Sequence, residues 1–207
     1  MFSPTDKITI VGVSGCGKST LCKKLHESGI WKRVVVFDRM AEYDQAGFDA
    51  TVHSFQEYCS QMKFRRQDPS FRILFRFDRE SDGKGEIFNE ALHVLLYAKN
   101  TLAVVEETWN FSSKSYIPKW YQELNLAGRH DGVGLISTSQ RPQTIHNVIL
   151  SQSAHIFIGQ VALKRDLEYL ADFVGDENTE KLKMLKRGEF LHWIRGNPEV
   201  KIISNRS

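Results

Sequence analysis

The sequence predicts an α/β fold, a mostly parallel central sheet flanked by helices on both faces, with a C-terminal β-hairpin added. Three observations carry this. Short β-branched apolar runs recur along the chain, segments with helical spacing lie between them, and several runs stop abruptly at glycine, carboxylates or an amide. Alternating strands and helices are the pattern of a parallel sheet covered on both sides. Such sheets bind ligands at the carboxyl ends of their strands.

The elements follow in order. Residues 7–13 (KITIVGV) read as a strand ending in glycine, 18–27 as a helix and 33–38 (RVVVFD) as a second strand. Residues 55–66 read as a helix with a basic end, 71–77 (FRILFRF) as a third strand and 86–98 as a helix. Residues 101–107 (TLAVVEE) form the fourth strand, 116–127 a helix, 133–138 the fifth strand and 155–159 (HIFIG) the sixth. Helices are expected over 163–173 and 179–186. The final hairpin pairs 189–194 with 200–203 around Gly196-Asn197-Pro198. Ser81 to Gly85 is read as a loop, and all 207 residues as one domain.

A net charge of +3 permits a nucleic-acid partner without requiring one. Cys16, Cys22 and Cys59 are odd in number and lack metal-type spacing, so reduced thiols are expected. No run reaches the ~20 apolar residues of a membrane span, and no signal segment is read, so a soluble chain is expected.

Gly12 to Ser19 reads GVSGCGKS, a full G-x-x-x-x-G-K-[ST] match between a strand and a helix. Glycines let the backbone N–H groups turn inward on phosphates, and the following helix N-terminus favours an anion. Gly12, Val13, Ser14, Gly15, Cys16, Gly17, Lys18, Ser19 and Thr20 are therefore the candidate ATP-binding residues. Lys18 is the point charge for the β- and γ-phosphates, and the Ser19 hydroxyl is a ligand for Mg²⁺.

Glu106 and Glu107 end an apolar strand. A nucleotide hydrolase needs one carboxylate near Mg²⁺ and one to activate water. Glu106 is the metal-side candidate and Glu107 the catalytic base. Gln140 follows the fifth strand, where it could bond both a γ-phosphate and the attacking water, with Ser137, Thr138 and Ser139 assisting.

Four segments together resemble the HerA/FtsK superfamily of P-loop motor ATPases, most closely its small viral genome-packaging members: GVSGCGKST, FDRMAEY, LAVVEE and GRHDGVGLISTSQRP. With the following strand they span residues 8–159, about three quarters of the chain. Glu106 departs from the family's usual Asp. The resemblance implies a RecA-like core, ATP hydrolysis and a homo-oligomeric ring, commonly a hexamer, that moves double-stranded DNA through its pore. It implies Gln140 as sensor and Arg129, then Arg141, as the residue reaching a neighbouring subunit's ATP. It also implies work in the host cytoplasm or at the packaging vertex of a virion, with a capsid vertex or a membrane protein as a further partner. A small-molecule P-loop kinase and a phage-export or morphogenesis ATPase are the alternatives.

Two stretches mix features suited to DNA. Lys63, Arg65, Arg66, Arg72, Arg76 and Arg79 surround the third strand, and TWNFSSKSYIPKWY interleaves aromatics with lysines. A solvated strand face and a partly buried loop are the ordinary readings of both.

Overall fold

The structure is a computed structural model and describes residues 2–77, 85–197 and 199–205. Arg79, residues 81–84 of the expected loop and Pro198 of the expected hairpin turn lie outside them.

The chain runs β1 (Lys7–Val11), α1 (Lys18–His26), β2 (Arg33–Phe37), β3 (Ala50–Val52), α2 (Phe55–Phe64), β4 (Phe71–Phe75) and α3 (Glu86–Ala98). It continues through β5 (Leu102–Val105), α4 (Lys119–Ala127), β6 (Gly134–Ser139), α5 (Asn147–Ser151), β7 (His155–Ile158), α6 (Lys164–Val174), α7 (Asp176–Lys183), β8 (Glu189–Ile194) and β9 (Lys201–Ser204). The described strands form one sheet in the order β3-β4-β2-β5-β6-β1-β7-β8-β9. All neighbours from β3 to β7 are parallel, while β7–β8 and β8–β9 are antiparallel. The predicted mixed sheet and terminal hairpin are therefore present.

Period-two alternation sends side chains to two cores. Val34, Val36, Leu74, Val104 and Ile136 face Leu21, Cys22 and Leu25 of α1. Val35, Phe37, Ile73, Phe75, Ala103 and Val105 pack in the other core with residues of α2, α3, α4 and α6. A sheet buried on both sides explains why its strands read as continuous apolar runs.

Three differences from the sequence reading have local causes. β3 is a three-residue edge strand, too short to show a period. The helix expected from 116 begins at Lys119, because Pro118 precedes it and disfavours helical geometry at Ile117. α5 is one short turn whose N-cap is His146, a residue that gives no start signal in sequence.

The order places β6 between β1 and β5. Register aligns Val11 with Ser139 and Val105 with Ser137. The phosphate loop, the Glu106–Glu107 pair and Gln140 thus emerge side by side at the carboxyl edge.

Candidate functional site

The loop after β1 is closed by its neighbours. Gly12 N–H donates to Ser139 O at 3.2 Å, and Val13 N–H to Gln160 O at 2.9 Å. A Cβ on Gly12 or Gly159 would stand 2.8 or 2.9 Å from Cys16 Sγ, so both glycines make room for that sulfur. Cys16 is buried, and burial pushes its thiol pKa up. It is a packing group rather than a reactive one. Ser14, Gly15 and Thr20 are exposed, with Gly15 at φ 75°.

α1 starts at a left-handed Gly17 with no side-chain cap and no acid in its first turn. α2, in contrast, has a full Ser54–Glu57 capping box. The first N–H groups of α1 therefore lack a partner from the helix and carry the positive end of its dipole. Lys18 is buried beside them, its Nζ donating to Val13 O at 3.2 Å and standing 3.8 Å from Glu107 Oε1.

Glu107 joins these groups. Its backbone is left-handed, φ 52°, and its N–H donates to Thr138 Oγ1 at 2.9 Å. Gln140 Nε2 donates to Glu107 Oε1 at 3.2 Å, and Trp109 Nε1 donates to Oε2 at 2.9 Å. One carboxylate thus touches the predicted sensor and faces the predicted phosphate lysine. Gln140 is exposed at the edge.

Glu106 points elsewhere. Tyr43 Oη donates to its Oε1 at 2.7 Å and Thr138 Oγ1 to its Oε2 at 2.6 Å. Burial raises its pKa despite these bonds, and the Glu42 and Glu107 charges push the same way. The structure does not join Ser19 to Glu106. Ser19 Oγ donates instead to Glu42 Oε2 at 2.8 Å. Asp38 shapes the Glu42 turn by accepting from the N–H groups of Glu42 and Tyr43 at 2.9 and 3.1 Å. Glu42 went unassigned in sequence, although the FDRMAEY segment that contains it stood out.

Among the described residues, no three His, Cys, Asp or Glu side chains converge to hold a metal by themselves. Mg²⁺ commonly takes one or two protein oxygens and completes its shell with phosphate oxygens and water. Ser19 with Glu42 fits that pattern.

The arginines divide. Arg141 Nε lies 3.5 Å from Asp166 Oδ2 on α6, which ties the Gln140 tip to that helix. Arg129 is exposed in the turn before β6, at the opposite edge of the sheet. It lines a cavity of about 300 Å³ with Lys7, Asn125 and Arg195. Six-residue β6 puts about 20 Å between that edge and the loop. Arg129 therefore does not belong to its own chain's site.

The far end of the chain meets the loop. Gly188 N–H donates to Cys16 O at 2.9 Å, and Asn205 Nδ2 donates to Gly17 O at 2.9 Å. Asn205 O in turn accepts from Lys24 at 2.9 Å. No sequence signal marks Asn205, because its contacts with Gly17 and Lys24 join residues 188 and 181 positions apart. Among the described residues no helix is long and apolar enough to cross a membrane.

A family model described as helicase HerA, central domain, matches residues 5–187. The probable helicase MJECL08 of Methanocaldococcus jannaschii is 28% identical over 109 residues, 50% of this chain and 21% of that protein. The DNA double-strand break repair helicase HerA of Sulfolobus acidocaldarius is 34% identical over 102 residues, 46% of this chain and 20% of that protein. The matched region is thus about one fifth of those relatives' length. Among solved structures, the genome packaging NTPase B204 of Sulfolobus turreted icosahedral virus 2, in complex with sulfate, superposes with a TM-score of 0.79 at 20% identity, covering 97% of this chain and 96% of that one. The plasmid coupling protein TrwB superposes at 0.64 and 10% identity, over 97% and 87%. These two likenesses concern the fold, which is that of RecA-like P-loop ATPases. The chain belongs to the helicase HerA central-domain family, within the HerA/FtsK type of P-loop ATPases.

Proposed function

We propose that the chain hydrolyses ATP with Mg²⁺ and couples it to movement along double-stranded DNA, as a subunit of a homo-oligomeric ring that packages a viral genome. The observation that carries this reading is the division of the site. Lys18, Glu107 and Gln140 meet at one edge of the sheet, while Arg129 stands at the other. Such a division suits catalysis completed between neighbouring subunits.

The chemistry follows from the named groups. The uncapped α1 terminus and Lys18 hold the phosphates. Ser19 and Glu42 would hold Mg²⁺, which neutralises charge on the transferring phosphoryl group when bound. Glu107 orients and deprotonates water, and Gln140, on the same carboxylate, senses the γ-phosphate. Arg129 of a neighbour stabilises the developing charge. Support for packaging comes from B204, called a DNA-packaging ATPase, which this chain matches nearly end to end. A ring, a hexamer by the family resemblance, would work at a capsid vertex in the host cell or virion.

The test is ATP turnover against protein concentration, with and without duplex DNA. A rate per subunit that climbs with concentration and again with DNA supports the ring motor. A flat, DNA-independent rate means a site complete in one chain and turns attention to a small-molecule phosphoryl acceptor.

A further inference from the structure

Away from the phosphate loop, α2 and α3 leave an open groove of about 590 Å³. Its floor includes Met62 and Val94, and Arg33, Lys63, Arg66 and Lys99 stand around it. No carboxylate lines it among the described residues. Arg33 begins β2 and Lys99 follows α3, so the groove lies at the amino-terminal edge. The length of β2, about 17 Å, separates it from the nucleotide site.

Two observations make this more than a solvated basic face. The Arg33 guanidinium lies 4.8 Å over the Phe71 ring, with Nε and Nη2 buried and without a hydrogen-bond partner among the described residues. Asp68, which acts on Arg33 through its charge, is itself ion-paired with Arg65 at 3.5 Å. Buried donors without acceptors are costly and rare, so the Arg33 guanidinium favours an anionic acceptor beside it. Moreover, the surrounding basic residues sort into two sets. Arg65, Arg72 and Arg76 are held by Asp68, Glu27 and Asp38. Lys63, Arg66 and Lys99 are exposed, and no ion pair among the described residues engages them.

We propose that this groove is a second polyanion site, which takes the sugar-phosphate backbone of double-stranded DNA. It rests on the translocase reading above. The cations come from three elements and spread along an open trough, which suits a linear row of phosphates better than one compact anion. Duplex DNA presents such a row, about one charge per 1.7 Å of axis. Point charges on phosphates bind without reading sequence, as movement along DNA requires. Tyr97, 77% exposed on the rim, offers a flat face to the sugar.

The test is fluorescence anisotropy of a labelled mixed-sequence duplex across a salt series. It compares wild type, Lys63→Ser/Arg66→Ser, Arg33→Met, and a distant Lys181→Ser/Lys183→Ser control. Losing two phosphate contacts makes the slope of log K against log salt shallower by about 2 and weakens binding at low salt about tenfold or more. Arg33→Met, which keeps the bulk and removes the guanidinium, moves both in the same direction. If wild type binds and the groove variants match it, the groove is not the site and the translocase reading stands. If wild type does not bind the duplex, both readings fall. An equal loss in the control means bulk charge alone. Intact DNA binding with lost self-association makes the groove a subunit contact. Either result overturns the inference.

Discussion

The Ser19 hydroxyl donates to Glu42 Oε2 at 2.8 Å, joining the first turn of α1 to the turn after β2. A carboxylate there has little reason to sit beside an anion-binding loop unless a cation comes with the nucleotide. Glu42→Gln keeps the shape and a bond to Ser19 but removes the charge. The Mg²⁺ concentration for half-maximal ATP turnover is expected to rise about tenfold, with Mg²⁺-free nucleotide binding preserved. An unchanged Mg²⁺ dependence would reduce Glu42 to a brace for the loop.

Glu107 is the carboxylate that meets Lys18 and Gln140. Glu107→Gln is expected to bind ATP normally and turn it over at least ~100-fold more slowly. Lys18→Ala removes the buried ammonium and abolishes turnover. Wild-type turnover by Glu107→Gln would assign the base elsewhere.

Arg129 stands at the wrong edge to serve its own loop. Arg129→Ala and Lys18→Ala chains should each be inactive alone and partly active when mixed, since a mixed ring restores some complete interfaces. Rings that form without recovering activity would remove Arg129 from the site.

Asn205 holds the loop from outside, through Gly17 O. Asn205→Ala deletes one hydrogen bond, about 1 kcal/mol, and lowers the thermal midpoint by about 2–4 °C. A several-fold rise in KM for ATP at near-constant kcat is expected as well. Asn205→Asp, which sets a carboxylate against that carbonyl near bound phosphates, should be worse. A lower midpoint with unchanged KM in both variants means Asn205 only anchors the C-terminal hairpin.

His26 gives the fold an acid sensitivity. It is fully buried, its Nδ1 is 2.7 Å from Arg72 Nη2, and its Nε2 has no hydrogen-bond partner among the described residues. Burial, then the Arg72 charge, brings its pKa down to about 3. The unfolded chain takes up this proton below about 6.5, and the folded chain does not. Stability is therefore intact above that pH and falls between it and about 3. By pH 5 the loss at this site is about 2 kcal/mol. Chemical denaturation at pH 7 and pH 5 should show His26→Gln losing less than wild type by that amount. Equal losses would mean Arg72 moves aside and the ring protonates in place.

Much of this protein is local information. Strand runs such as VVVF and LAVV point to a sheet buried on both faces, because short apolar runs enriched in β-branched residues and bounded by turns fit strands covered on both sides. GVSGCGKS specifies its own chemistry, since glycine freedom, the helix start and the lysine all lie within eight residues. Glu107 and Gln140 were legible as strand-end polar groups, though their 3.2 Å contact spans 33 positions. Only the tertiary structure decided the remainder. It drew Glu106 away to Tyr43 and Thr138, put Glu42 on Ser19, and laid Asn205 against Gly17. It paired Arg65, Arg72 and Arg76 with acids while leaving Lys63 and Arg66 open beside Arg33. The reason is physical. A motif records what its own backbone can do, whereas partners for a charge are set by strand order and register, which bring distant residues to one edge.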